Sequence, residues 1–204
     1  MRNILLFLCL GAVLSAGGSP LPPHERAAKT AKEAVHRLHT MMKSRVKPKM
    51  KEGGVPAAAA FCAEESYKMI EQLDRELGPD VSIKRVSLRN RNPASYPLPE
   101  EEDIVRAFEL IEASDAYLPK AIVQMVDART YKVYLPATMS SRNCKKCHGT
   151  ESEIDPAVRS YLKERYPQDR ATGFRSGQVR GAVIVTVTTT NGEAPRQRRD
   201  DENE

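Results

Sequence analysis

The sequence predicts an α+β domain: a small antiparallel sheet, with helices ahead of it and further helices inserted between its strands. Three observations carry this expectation. Between residues 25 and 77 apolar side chains recur at helical spacing. Beyond residue 80 the pattern changes to alternation and short β-branched runs. The cluster Cys144, Cys147 and His148 comes late in the chain, directly behind two such runs that read as a hairpin.

Taken in order, Met1-Arg2-Asn3 is a short n-region with one positive charge, followed by an apolar run from Ile4 to Leu14 and the small residues Ser15-Ala16-Gly17. That is the pattern of a secretory signal peptide over residues 1–17, removed after Ala16 or Gly17. The run is far short of the ~20 apolar residues a spanning helix needs. The expectation is therefore export to the periplasm without stable membrane insertion. The formal charge of +5 is mild, and Lys and Arg are interleaved with Asp and Glu. With no Trp and 5% aromatic residues, nothing suggests a surface for nucleic acid. The one basic cluster, Lys43, Arg45, Lys47, Lys49 and Lys51, reads as a solvated linker or as a docking patch for an acidic redox partner.

The domain proper is expected over residues 25–189. A first helix runs from Glu25 to Met42, burying Ala28, Ala31, Val35, Leu38 and Met42, with His36 and His39 on its polar side. Pro48, Gly53, Gly54 and Pro56 mark residues 47–56 as a loop. A second helix follows from Ala57 to Leu77, stopped by Gly78-Pro79. Its apolar stripe, Ala58, Phe61, Met69, Ile70 and Leu73, includes Cys62, which therefore points inward. Residues 81–88 alternate as a strand. A third helix begins near Pro99 with Glu100, Glu101 and Glu102 in its first turn, where the helix dipole favours acidic groups, and buries Ile104, Ala107, Phe108 and Ile111. Ala121 to Met125 and Tyr131 to Leu135 form the hairpin around the turn 127–130. Asp155 to Tyr166 suits a helix, and residues 172–187 a short strand, a turn at Ser176-Gly177 and a last buried strand. Residues 190–204 are charged, lack apolar periodicity and read as a disordered tail.

The chemistry sits in Asn143-Cys144-Lys145-Lys146-Cys147-His148-Gly149. Two thiols separated by two residues and followed by His form the attachment signal for c-type haem. Cys144 and Cys147 lie about one helical turn apart, so both sulfurs reach the two vinyl groups of one porphyrin edge, and His148 supplies an axial ligand. A zinc site would call for a second Cys pair, and none exists. A thioredoxin-like pair would not use the His. Of the four cysteines, Cys9 leaves with the signal peptide and two hold haem, which leaves Cys62 alone in an oxidising compartment. It is either a small buried hydrophobe or a second axial ligand.

Several separated stretches resemble one family, the exported single-haem c-type proteins with a PAS-like fold. They are Phe61-Cys62-Ala63-Glu64, the run from Arg85 to Pro93 (RVSLRNRNP), Tyr134-Leu135-Pro136 before the haem motif, and Gly173-Phe174-Arg175-Ser176-Gly177 with Arg180-Gly181-Ala182. The resemblance implies a PAS-like sheet carrying one covalent haem c, held by thioethers from Cys144 and Cys147 with His148 and Cys62 on the iron. A thiolate ligand stabilises ferric iron, so a low potential follows. Arg89 and Arg91 border the site and either pair with the haem propionates or belong to a loop held by Asn92-Pro93 turn chemistry. The function expected is one-electron transfer with an unidentified redox partner protein. The alternative is a redox or gas (NO or CO) sensor that signals by ligand exchange at Cys62. With both axial positions filled, an enzyme is not expected.

Overall fold

A computed structural model describes residues 21–140 and 142–189. The expected leader and charged tail lie outside these residues. The architecture is α+β, PAS-like, with a four-stranded antiparallel sheet in the order β1-β4-β3-β2. Its strands are β1 (Val81–Val86), β2 (Ile122–Met125), β3 (Thr130–Thr138) and β4 (Val179–Thr188). The helices are α1 (Pro23–Leu77), α2 (Pro99–Ala113), α3 (Arg142–His148) and α4 (Pro156–Arg165), with a 3-10 turn at Pro93–Ser95.

The first correction concerns residues 47–56, expected as a loop. Helix α1 runs on through Pro48, and only Gly53 and Gly54 leave helical geometry. Gly54 has φ +65, a conformation open to glycine, and a Cβ on Gly53 would meet Ala57 Cβ at 2.8 Å. Pro56 then stands in the first turn of the second arm, where its missing N–H costs nothing. One glycine pair thus folds α1 into an antiparallel helical hairpin. Arg37 and Glu76 meet across the arms at 3.0 Å, and Leu38 and Leu73 share one core cluster. The basic cluster of residues 43–51 is therefore helical.

The small residues Ala27, Ala31 and Ala34 let the first arm approach the sheet closely, over Val81, Ile83, Val133, Val183, Val185 and Val187. The other face packs on α2 through Phe108, Val105, Tyr134 and Ile184. Val105 is buried while Ile104, Ala107 and Ile111 are half-buried, a shift of the expected stripe. With both faces covered, β4 shows the near-continuous apolar run of a central strand. The hairpin forms as expected, with Ile122 opposite Tyr134 and Met125 opposite Tyr131. Asp127 Oδ1 closes its turn by accepting the N–H groups of Arg129 and Thr130.

Two further differences matter. Glu101, expected only as a first-turn acid, is fully buried and accepts from Lys84 Nζ at 2.8 Å and Lys132 Nζ at 2.9 Å. It also accepts the Leu98 N–H, so one carboxylate ties α2 to β1 and β3. Burial alone would raise this carboxyl, but the bonds from Lys84, Lys132 and Leu98 outweigh it and hold the group below the usual range. The short strand expected ahead of Ser176-Gly177 does not form. Its N–H groups are taken instead by the turn behind α3, as described next.

Candidate functional site

Helix α3 is short, and its position is set by a backbone clasp. Gly173 N–H donates to Gly149 O at 2.6 Å and Phe174 N–H to His148 O at 2.9 Å. Segment 169–174 is in turn held from the strand side. Arg91 Nε meets Asp169 Oδ2 at 2.7 Å, and Arg91 Nη2 donates to Cys147 O at 2.6 Å. Arg89 donates to Thr172 O and lies over the Phe174 ring at 4.0 Å. Lys145 pairs with Glu153 at 2.6 Å, and that hydrogen bond leads the causes that pull Glu153 down to about 2.

The clasp brings the motif against a cavity of about 680 Å³, within the range of cofactor sites. Cys62, Cys144, Cys147 and His148 all line it, so residues far apart in sequence meet at one cavity. Cys144 packs toward Met139, Ala171 and Phe174, and Cys147 toward Ala59, Val158 and Leu162. Ala58, Val86, Ile70 and Leu162 add an apolar wall. His36 and His39 are exposed and do not line the cavity.

His148 shows which nitrogen it offers. Its Nδ1 lies 2.7 Å from Ala171 O. A carbonyl only accepts, so Nδ1 carries the hydrogen and Nε2 keeps a lone pair facing the cavity. A metal-binding His needs this arrangement, with its second ring nitrogen fixed by a carbonyl. Burial, then the guanidinium groups of Arg180 and Arg91, push the imidazole well below its ordinary range and keep it neutral. Arg180 Nη1 donates to Nε2 at 2.9 Å. Burial raises the thiols of Cys62 and Cys147, and neighbouring arginines pull both the other way.

The charge of the cavity is one-sided. Arg85, Arg89, Arg91 and Arg180 line it together with Lys43, Lys47 and Lys146, and among the described residues no Asp or Glu does. Burial and the guanidiniums of Arg85 and Arg91 push Arg180 down to about 10. An apolar wall, thiols, a neutral imidazole and surplus cations fit an apolar macrocycle that carries a metal and acidic side groups. They do not fit a bare cation.

Sequence reasoning missed Arg85, Arg180 and the carbonyl of Ala171. Arg85 had left a signal, since it alternates onto the same strand face as Val81 and Ile83, where a charge is out of place. Arg89 and Arg91 do line the cavity, yet their hydrogen bonds go to protein. The turn chemistry at Asn92-Pro93 is also present, with Asn92 Oδ1 accepting from Ala94 N–H.

A family model described as Tll0287-like matches residues 23–188. The crystal structure of the cyanobacterial heme-protein Tll0287 superposes with a TM-score of 0.58 at 23% identity, covering 83% of this chain and 98% of that one. At that identity the likeness shows a shared fold. No curated protein matches the chain.

Proposed function

Because the chain belongs to the Tll0287-like family, we propose that it binds one c-type haem and passes single electrons through it in an exported compartment. The observation that carries this reading is the convergence of Cys62, Cys144, Cys147 and the Nε2 lone pair of His148 on one cationic cavity. Cys144 and Cys147 would hold the haem covalently, each by addition of its S–H across a vinyl group, which needs no oxidant. His148, its tautomer set by Ala171 O, would offer Nε2 to the iron. Cys62 would be a second iron ligand: burial raises its thiol, Arg85, Arg91 and Arg180 pull it the other way, and binding the metal would release its proton. The bound group provides the Fe(III)/Fe(II) couple, and its thiolate ligand favours the ferric state.

The test is to express the full sequence in a host that matures c-type cytochromes. Colour that stays with the polypeptide after denaturation and acidic acetone supports the reading, with low-spin spectra in both redox states. Loss of all haem on extraction would sink it. A Cys62→Ala spectrum identical to wild type removes the thiolate but leaves the haem. One observation favours sensing as a second reading: Cys62 lies about two turns beyond the Gly53-Gly54 break in α1, away from the clasp that holds His148. Ready CO binding to the ferrous form, with loss of the thiolate signature, would decide for it.

A further inference from the structure

The arginines around the cavity do different work. Arg89 and Arg91 are engaged with protein, at Thr172 O and Phe174 and at Asp169 and Cys147 O. Arg85 and Arg180 have no carboxylate partner among the described residues, and Arg180 donates to His148 Nε2. A guanidinium withdrawn from water is costly without an anion.

Arg180 reaches the cavity because β4 breaks its own alternation. Val179 and Ala182 pack in the same cluster as Phe108, although residues three apart in a regular strand face opposite ways. The irregularity falls at Gly181, with φ +143, where the pairing with β3 shifts between Ala137 and Thr138. Bulges of this kind re-aim a side chain beside a functional site. Here the bulge turns Arg180 to the face that carries Arg85, whose pairing partner Val183 packs under α1. Only glycine fits there, since a Cβ would run into the carbonyl oxygen of Val86.

We propose that Arg85 and Arg180 are the carboxylate-binding pair of this cavity, receiving the two propionates in the haem reading, on which this inference rests. Arg89 and Arg91 are then braces of segment 169–174. The chemistry matches: a planar fork of N–H donors takes a carboxylate in two parallel bonds. An N–H and an iron cannot share one lone pair, so Arg180 gives up Nε2 when that nitrogen ligates, and its charge passes to a carboxylate. The pair also selects for a dicarboxylate tetrapyrrole over a neutral one.

The experiment compares the haem-loaded full chain with Arg85→Gln, Arg180→Gln, Arg180→Lys and Arg89→Gln. The readouts are the resonance Raman propionate bending band and the pH dependence of the midpoint potential. In the wild type the band shifts in D2O, because its hydrogen-bond donors exchange, and the potential is flat with pH across the neutral range. Each Gln variant at 85 or 180 is expected to move the band and to make the potential pH-dependent as a propionate begins to titrate. Arg180→Lys restores the flat profile in part, and Arg89→Gln leaves both readouts unchanged. Superimposable wild-type, Arg85→Gln and Arg180→Gln profiles overturn the assignment, as does an effect confined to Arg89→Gln. Should the Gln variants fail to accumulate, a wild-type band insensitive to D2O overturns it alone. Absence of covalent haem in the wild type is a different result, since it removes the haem reading itself.

Discussion

Gly181→Ala should be among the most damaging single-methyl changes available in this protein. The position has φ +143, where an L-residue is strained by about 1–3 kcal/mol. The added Cβ would also overlap the Val86 carbonyl oxygen and stand 3.0 Å from Ser87 Cβ. Both lie at the end of β1, Val86 as its last residue and Ser87 just after it, so relief requires β1 and β4 to separate where they pair, at about 1–3 kcal/mol of overpacking. Together these predict a loss of about 4 kcal/mol. For a domain of this size that is roughly 8–16 °C in Tm. The control is Gly78→Ala, where φ is +82 but nothing lies within 4 Å of the new Cβ. That variant carries the backbone strain without the collision, about 1–3 kcal/mol. Thermal melts followed by far-UV circular dichroism, at matched haem loading, measure both. If Gly181→Ala melts within about 2 °C of Gly78→Ala, the steric account of the β4 bulge is wrong.

Other outcomes follow from the same geometry. Glu101 has its carboxyl held below the usual value of 4.5, so its contribution is complete above that pH and is lost as pH falls through the lower folded value. Unfolding free energies of wild type and Glu101→Gln from urea titrations should differ by about 2 kcal/mol near neutrality and converge in acid; a constant gap would contradict this. Arg91→Lys cannot reproduce the two-point hold on Asp169 and Cys147 O. It should lower stability by about 1–2 kcal/mol and speed limited proteolysis within 142–174, whereas an unchanged cleavage pattern would show that α3 needs no such brace. Tyr166→Phe removes the hydroxyl bond to Ala63 O at 3.0 Å. CO binding to the reduced protein should then accelerate several-fold; an unaltered rate would mean that this bond does not restrain Cys62.

Much of the site was legible because its signals are local. Spacing alone marks Cys144, Cys147 and His148, and the apolar stripe of the second arm turns Cys62 inward. The α+β order was legible for the same reason, since the change from helical period to alternation near residue 80 needs no tertiary knowledge. The errors lie where tertiary packing overrides a local cue. Pro48 reads as a breaker, yet packing of the α1 arms on the sheet carries the helix past it to Gly53. Residues 172–175 resemble a strand, but the N–H groups of Gly173 and Phe174 go to the carbonyls of Gly149 and His148, and that of Arg175 to Gln178 Oε1. Arg180 was hidden because alternation places it on the wrong face, and only the bulge at Gly181 reverses that.

The two axial sides of the proposed haem are not held with equal firmness. On the His148 side, two backbone bonds from Gly173 and Phe174, the Nδ1 bond to Ala171 O and the Arg91 fork fix the imidazole from several directions. Ala171, Gly173 and Phe174 sit on one segment, which Arg91 ties to Cys147 O through its bond to Asp169, so the same segment holds both the backbone and the ring of His148. On the Cys62 side the polar ties are thinner. Tyr166 reaches Ala63 O, Tyr161 reaches Glu64 at 3.3 Å, and the arm turns at a glycine pair without side chains to stiffen it. In the haem reading, Cys62 is then the ligand whose withdrawal breaks fewer polar contacts, so ligand exchange would begin on its side while the more firmly tied His148 side would serve electron exchange.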